Sequence, residues 1–483
     1  MRGNRNLTRR GFLRASGLTA AGALLAACGA TPTPQVVEKV VTQVVEKQVT
    51  QVVEKEVTKI VEGTPQIVKE TVVVETVVTP TAAITQPTTV TVSFWAYPEQ
   101  MAEFQLLLDA FVTKQPLIKP EVIPVPVGEY WAKLQTMIAG GSEPNLMYLA
   151  AYWFPALASK DLILAIDPLI EASKWDMSMY WEQTLAAFKW NGKQYGLPYV
   201  LSPGILAYNK TIFDSAGLKY PPGKLADADW WTWDKLLETA TALTKLDSSG
   251  RPLQFGCNFS PDYWADIHYW VRANNGKVLS DDLKKCLLDS AESTEGLTWE
   301  MELATKHKVN PNVGEATGNI GFPMGTIGMT WFFGSNIPGF RKQITQFEWN
   351  IGHLPKGKVR TAPLASECFA PSKRIKQPDA VWQLLSFLCG DEGQMLQAYH
   401  PRSMPSTKKA ARKFVELSAT LPPADLAAYP EALEYARFPD ITTKWAEMIS
   451  LIGKETQKAW LGQQTMPEAT AAATKNVNDL LAS

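Results

Sequence analysis

Aromatic residues that follow apolar runs are the side chains of this sequence best suited to hold a ligand. Trp95 and Tyr97 follow one such run, and Tyr152 and Trp153 follow another. The face of an indole or phenol ring packs against the C–H face of a sugar ring, while nearby carboxylates and amides hydrogen-bond its hydroxyls. Tryptophan is prominent, with 17 residues against 18 phenylalanines. We therefore predict that these two aromatic pairs contact a ligand.

Other tryptophans lie in helical patterns, and we predict that they pack in the core instead. The segment 230–233 precedes a helix, for which Thr232 is the predicted N-cap. The tryptophans assigned to packing by their helical spacing are Trp181, Trp190, Trp299, Trp382, Trp445 and Trp460.

Motifs for catalysis are missing from the sequence. It has no Gly-x-Ser-x-Gly elbow, no His-Glu-x-x-His, no phosphate loop and no Gly-x-Gly-x-x-Gly. The four histidines, at positions 268, 307, 353 and 400, include no close pair for a metal. We predict a binding protein without metal or cofactor. A polysaccharide hydrolase stays open, because two catalytic carboxylates need to be close only in space.

The elements that position the aromatic pairs alternate between strands and helices. Residues 90–94 alternate as a strand, and a helix face recurs through 104–111. A second strand at 122–125, a helix through 130–138 and a third apolar run at 146–149 follow. This order predicts an α/β fold with an open, mostly parallel sheet, which binds ligands beyond the carboxyl ends of its strands. Both aromatic pairs fall at such ends.

The N-terminus resembles an export signal with a lipid attachment site. Arg9 and Arg10, followed by Gly-Phe-Leu, resemble a twin-arginine signal, and Leu-Ala-Ala before Cys28 resembles a lipobox. The apolar run between them is about half of the ~20 residues that a membrane-spanning helix needs. We predict that residues 1–27 are a signal peptide and that lipidated Cys28 anchors the exported chain to the outer face of the cytoplasmic membrane.

A low-complexity segment follows the predicted anchor. From Val36 the motif Val-Val-Glu-Lys returns every eight residues, and a polar linker with prolines comes after it. Valines spaced by four drift around a helix, while a strand would mix valine with charge on its faces. We interpret residues 28–88 as the lipidated cysteine plus a stalk, and a helical association segment is the alternative.

Composition places the remainder among globular proteins. The 483 residues are 46% hydrophobic and 20% charged, and the net charge of −1 gives no reason to expect nucleic-acid binding. Besides Cys28 there are Cys257, Cys286, Cys368 and Cys389, which allow two disulfides or four free thiols.

Several blocks, taken in order, resemble family 1 extracellular solute-binding proteins, which include the maltose-binding protein. They begin with Glu-Pro-Asn-Leu at 143–146 and Gln-Tyr-Gly-Leu-Pro at 194–198. Ala-Tyr-Asn-Lys-Thr-Ile-Phe at 207–213 and Pro-Asp-Ala-Val-Trp-Gln at 378–383 continue the series. The matching blocks extend from about residue 90 to the C-terminus.

The resemblance implies a periplasmic-binding-protein-like (type II) clamshell, in which two discontinuous α/β lobes close over a ligand. Residues 89–201 and 363–402 would form lobe 1, and residues 202–362 and 403–483 would form lobe 2. The expected partners are a small solute, the permease subunits of an ABC importer and its cytoplasmic ATPase, with the receptor as a monomer. A membrane receptor in place of the permease is the alternative, since no residue distinguishes the two.

The resemblance also implies further ligand contacts. Trp331 occupies a place where the family commonly presents an aromatic residue from the second lobe, and Trp264 is similar but could instead cap a helix. Glu367 lies beside a hinge that the resemblance implies. We therefore expect these three residues at a site for a mono- or oligosaccharide. The alternative ligand is another polar solute such as a glycerophosphodiester.

Overall fold

The computed structural model describes residues 47–61, 64–78, 84–95, 98–315, 320–399, 403–418 and 421–483. The predicted export signal with Arg9 and Arg10, the predicted lipid site Cys28 and the predicted ligand contact Tyr97 lie outside these residues. Within the described ranges, no helix is both long and apolar enough to cross a membrane.

Strands and helices alternate along most of the described chain. The strands are β1 (Lys47–Val61), β2 (Thr64–Val78), β3 (Thr88–Trp95), β4 (Ile118–Val125), β5 (Leu146–Ala150), β6 (Lys189–Trp190), β7 (Lys193–Gln194), β8 (Leu197–Pro203), β9 (Ile205–Asn209), β10 (Lys245–Leu246), β11 (Pro252–Asn258), β12 (Ile327–Phe332), β13 (Trp349–Gly352), β14 (Ala362–Pro371) and β15 (Ala436–Arg437). The helices are α1 (Pro98–Lys114), α2 (Tyr130–Ala139), α3 (Phe154–Ala158), α4 (Asp167–Ser173), α5 (Glu182–Ala186), α6 (Lys210–Ala216), α7 (Trp233–Leu243), α8 (Trp264–Ala273), α9 (Ala291–Thr305), α10 (Ile337–Gln343), α11 (Pro378–Cys389), α12 (Asp391–Tyr399), α13 (Lys408–Ser418), α14 (Ala428–Ala432), α15 (Trp445–Trp460) and α16 (Met466–Ala482).

The repeat segment contains β1 and β2, which pair in a two-stranded sheet. The described residues of this segment are therefore extended and not helical, in line with the strand preference of its many valines. The helical alternative for the stalk does not fit these strands.

A first lobe is built around a sheet in the order β15-β14-β5-β3-β4, in which β8 also pairs with β14. At its edge, β15 pairs with the start of β14, where Ala362 and Ala436 lie in the core of the second lobe. The predicted strands at 90–94, 122–125 and 146–149 are β3, β4 and β5, and they run parallel as expected. The predicted helix faces bury Phe104 and Phe111 on α1 and Leu134 on α2. Because β14 runs antiparallel to both β5 and β8, the whole sheet is mixed.

A second lobe is built around a five-stranded sheet in the order β10-β11-β12-β9-β13. Only β11 and β12 pair in parallel here, while β9 runs antiparallel to β12 and β13. This second sheet is therefore mostly antiparallel, unlike the parallel arrangement of β3, β4 and β5. Helices α7, α8, α9, α15 and α16 contribute side chains to its core, for which Leu236, Trp270, Leu297, Met448 and Val477 are examples.

Within the described residues, the chain passes between the two cores at two places that lie side by side. Strand β8 ends in the first sheet, and Gly204 leads directly into β9 of the second sheet. The Gly204 amide donates to the Pro363 carbonyl at 2.7 Å, where β14 also crosses between the cores. Beside them, the Leu201 amide donates to the Met404 carbonyl at 3.0 Å. These short crossings set how one lobe can turn against the other.

Two smaller expectations concern caps and cysteines. Thr232 caps α7 as predicted, because its hydroxyl accepts a hydrogen bond from the Lys235 amide.

The sequence allows either two disulfides or four free thiols among the four later cysteines. In the structure all four are free and buried: Cys257, Cys286, Cys368 and Cys389.

Candidate functional site

The first wall of the candidate site is formed by aromatic residues at the carboxyl ends of β3 and β5. Trp153 is half-buried, and its ring lies 5.1 Å from the ring of Trp131 on α2 in a stacked arrangement. Trp95 meets Trp153 edge-on at 5.3 Å and Tyr148 at 4.1 Å, which leaves only 7% of Trp95 exposed. Trp95 therefore supports the wall from behind, while Trp153 presents part of its surface.

The second wall comes from β12, the start of α8 and the loops beside them. Trp331 is half-buried, and Tyr263 stacks on it at 5.6 Å. Phe333 meets Trp331 edge-on at 5.2 Å and stacks on Trp264 at 5.7 Å. The Trp331 indole N–H donates to Asp266 Oδ1 at 2.6 Å. Four aromatic side chains thus form one continuous surface on the second lobe.

Tyr152 connects the two walls. Its ring lies 5.8 Å from Trp264 of the second lobe and 5.8 Å from Trp445 at the start of α15, on which it stacks. Trp445 was expected to serve only as packing. It is buried at 5% exposure, but it also contacts the first lobe through Tyr152.

A carboxylate lies among these phenols. Glu367 on β14 is half-buried and pairs in register with Ala150 of β5 and Val200 of β8. Burial, followed by the proximity of Tyr263 and Glu367, raises the pKa of Tyr152 far above its ordinary value. The pKa of Tyr263 is likewise raised, first by desolvation and then by the nearby carboxyl groups of Asp266 and Glu367. Both phenols therefore remain protonated donors beside a carboxylate that can accept hydrogen bonds.

The structure thus brings together most of the residues that the sequence pointed to. Ring contacts link Trp95, Tyr152, Trp153 and Trp264. Trp331 joins them through Phe333, and Glu367 lies near Tyr152. The sequence interpretation missed several members of the two walls: Trp131, Tyr263, Asp266, Phe333 and the cross-lobe role of Trp445. Tyr263 and Asp266 are close neighbours of Trp264 in the sequence, so the choice of Trp264 as a ligand contact could have pointed to them.

The arrangement is suited to noncovalent binding. Among the residues that the structure describes, no group of three or more His, Cys, Asp or Glu side chains is arranged to hold a metal ion. Aromatic faces on both lobes and a half-buried carboxylate between them can hold a ligand with apolar faces and hydroxyl groups.

Comparison with known proteins agrees with the two-lobe fold. Residues 107–432 match the family model described as bacterial extracellular solute-binding protein. An ABC substrate-binding protein of Listeria monocytogenes in complex with cycloalternan superposes with a TM-score of 0.74 at 24% identity, covering 82% of this chain and 100% of that one. Maltose-bound MalE3 of T. maritima gives a TM-score of 0.69 at 20% identity, covering 81% and 100%.

A curated relative extends the comparison. The erythritol/L-threitol-binding protein of Mycolicibacterium smegmatis is 25% identical over 329 residues, which are 61% of this chain and 65% of the relative. The family model spans well over half of the chain, and the structural neighbours share its two-lobe, periplasmic-binding-protein-like architecture. The chain therefore belongs to the bacterial extracellular solute-binding protein family.

Proposed function

We propose that this protein binds a carbohydrate reversibly between its two lobes and delivers it to the permease of an ABC importer. The observation that carries the proposal is the pair of aromatic walls that Tyr152 joins. Tyr152 and Trp153 on the first lobe and Tyr263 and Trp331 on the second all keep part of their surface exposed. Glu367 lies near both tyrosines.

The chemistry of these walls matches that of a sugar. Aromatic faces bury the C–H faces of a pyranose, and phenols and a carboxylate exchange hydrogen bonds with its hydroxyls. Three relatives support the ligand class, since their names or titles give cycloalternan, maltose and erythritol or L-threitol as bound compounds.

The proposal includes an arrangement at the membrane. Residues 1–27 direct export, and Cys28 carries the lipid that holds the monomeric receptor near its permease. Residues 28–88 are the stalk, residues 89–201 with 363–402 form lobe 1, and residues 202–362 with 403–483 form lobe 2. Turning at the crossings near Gly204 would close the lobes over the ligand, and a cytoplasmic ATPase would supply the energy. The receptor itself performs no catalysis.

A thermal-shift screen tests the ligand class. The probes are maltotriose, cycloalternan, erythritol and glycerophosphocholine, each titrated into the purified chain. A ligand that binds only the native state stabilises it by about 2.7 kcal/mol at 100 times its Kd. We expect at least one carbohydrate or polyol to raise the Tm. A shift with glycerophosphocholine alone would contradict the carbohydrate assignment.

Variants of the walls locate the binding site. Trp153→Leu and Trp331→Leu each remove one half-buried indole face, and we expect each to weaken binding of the active probe by tenfold or more. Trp230→Leu is the matched control, because Trp230 is also half-buried but packs against Trp231 and under the Lys219 ammonium. Equal losses in all three variants would show that the walls are not the site.

A turnover assay separates binding from hydrolysis. The protein is incubated with the oligosaccharide that shifts its Tm, and the mixture is analysed by chromatography over a day. We expect the oligosaccharide to be recovered intact. Cleavage products that form in proportion to protein concentration would refute the noncatalytic assignment.

A further inference from the structure

Trp331 is held in one orientation by contacts on several sides. Its indole N–H donates to Asp266 Oδ1 at 2.6 Å, while Tyr263 stacks on its face and Phe333 meets its edge. On another side it lies against the interlobe crossing, since a Cβ built on Gly204 would stand 3.3 Å from Trp331 Cε3. The orientation of an indole depends on two side-chain torsions. Ring packing alone still allows the ring to flip, whereas a directional hydrogen bond from its N–H prevents the flip.

The hydrogen-bond acceptor for this indole is Asp266, a carboxyl group that is unusual in being buried. Asp266 lies in the first turn of α8 with 2% of its surface exposed. Its other carboxyl oxygen accepts the Ser260 amide at 3.3 Å. Burial raises the pKa of Asp266 well above its ordinary value despite both hydrogen bonds. A buried carboxyl group costs stability that an apolar residue of similar volume would not, so its presence calls for a role.

We propose that Asp266 is a positioning residue that sets ligand affinity by fixing the Trp331 indole in the second wall. This inference rests on the proposed function, because Trp331 is taken to contact the ligand. Asp266 itself lies behind the wall, where its carboxyl oxygen receives the indole N–H. A fixed indole presents one face to the ligand without losing rotamer freedom on binding, which favours a tighter complex.

The first test observes the indole directly and needs no ligand. The tryptophans are labelled with ¹⁵N, and the Trp331 indole N–H signal is identified as the one that disappears in Trp331→Phe. In Asp266→Asn the amide oxygen still accepts the N–H, so we expect the signal to stay among the hydrogen-bonded indoles. In Asp266→Leu we expect it to move toward the position of a free indole or to broaden. An unchanged signal in a folded Asp266→Leu variant would overturn the proposal.

The matched control removes another buried carboxyl group from the same lobe. Glu300 on α9 has 1% of its surface exposed, and burial followed by the nearby Asp266 carboxyl raises its pKa, so the two carboxyl groups interact. The single indole N–H of Trp331 is already donated to Asp266, so Glu300 is not its acceptor. We expect Glu300→Gln to leave the Trp331 signal in place. A displacement as large as that in Asp266→Leu would show that the indole depends on the pair of buried carboxyl groups, and it would refute the specific role of Asp266.

The second test measures affinity for maltotriose, or for another carbohydrate of the panel if only that one binds. We expect a loss of about tenfold to a hundredfold in Asp266→Leu and no more than about threefold in Asp266→Asn. Trp331→Phe keeps a ring but has no N–H, so it tests the same bond without touching Asp266. Wild-type affinity in Trp331→Phe would overturn the proposal even if Asp266→Leu failed to fold.

The two tests separate the failure of this inference from the failure of the proposed function. If the wild type binds no carbohydrate, the proposed function is refuted, and so is the role of Asp266 in affinity. The NMR spectrum still decides whether Asp266 holds the indole. Suppose that the wild type binds and the Asp266→Leu signal moves without a loss of affinity. The proposed function then stands, and the inference that Asp266 sets ligand affinity is refuted.

Discussion

Replacement of Gly204 by alanine is the sharpest structural test of the interlobe crossing. A Cβ at this position would lie 2.6 Å from Cγ and 2.9 Å from Cδ of Pro363. Carbon atoms in favourable contact are about 3.5–4.0 Å apart, so the new methyl group overlaps the proline ring by about 1 Å. Because the Gly204 amide donates to the Pro363 carbonyl at 2.7 Å, the two residues cannot separate without stretching that hydrogen bond.

The expected cost follows from these two contacts. Overpacking by one methyl group costs about 1–3 kcal/mol, and a weakened backbone hydrogen bond adds about 1 kcal/mol. We therefore expect Gly204→Ala to lower the free energy of unfolding by about 2–4 kcal/mol. Guanidinium melts of both proteins, followed by fluorescence, measure this difference. Gly128→Ala is the matched control, because no atom lies within 4 Å of its built Cβ, and we expect a change within about 0.5 kcal/mol.

A double-mutant cycle identifies the cause of the loss. Pro363→Ala removes the Cγ and Cδ atoms that the new methyl group would strike, so it should restore most of the stability lost in Gly204→Ala. Additive losses in the double variant would refute the reasoning, since they would place the strain somewhere other than the Pro363 ring. A Gly204→Ala protein as stable as the wild type would refute it more directly.

Two further predictions concern pH and helix capping. Burial lowers the pKa of His268 from 6.5 to about 4, so the folded state keeps it neutral while the unfolded chain takes up a proton below about pH 6.5. The resulting stability is present above pH 6.5 and is lost as the pH falls toward 4, by about 3 kcal/mol in all. In urea melts across this range His268→Gln should show a shallower loss than the wild type, and equal slopes in the two proteins would contradict the assignment. Thr465 and Glu468 form a capping box at the start of α16. Thr465→Ala should lower the free energy of unfolding by about 1 kcal/mol while Thr465→Ser retains it, and equal losses would exclude the hydroxyl as the cause.

Local patterns predicted the parts of this structure that depend on neighbouring residues. The apolar spacing on α1 and α2, the parallel arrangement of β3, β4 and β5, and the Thr232 cap all follow from short-range rules. The rule that ligand-facing side chains lie at strand ends selected Tyr152 and Trp153, which the structure places at the candidate site. It also selected Trp95, which the structure packs behind Trp153, because a strand end does not determine which side chain faces outward.

Contacts between distant segments could not be predicted in this way. Trp445 has the helical spacing of a packing residue, and only the fold places it against Tyr152 of the other lobe. Strand β14 could not be assigned to an antiparallel position, because its pairing with β5 and β8 depends on how the chain returns from the second lobe. The acceptor role of Asp266 likewise appears only when α8 packs beside β12.

The ligand wall and the crossing between lobes share the same backbone. Trp331 pairs in register with Leu206 on β9, and β9 begins directly after Gly204. The Trp331 ring edge also borders the open side of Gly204, where a built Cβ would stand 3.3 Å from Cε3, so a side-chain neighbour is added to this backbone link. If a ligand presses on the face of Trp331, both links connect that side chain to the crossing. In the proposed function, a ligand that contacts Trp331 therefore acts on the crossing through this one side chain, whose orientation is fixed by Asp266 in the role proposed for it.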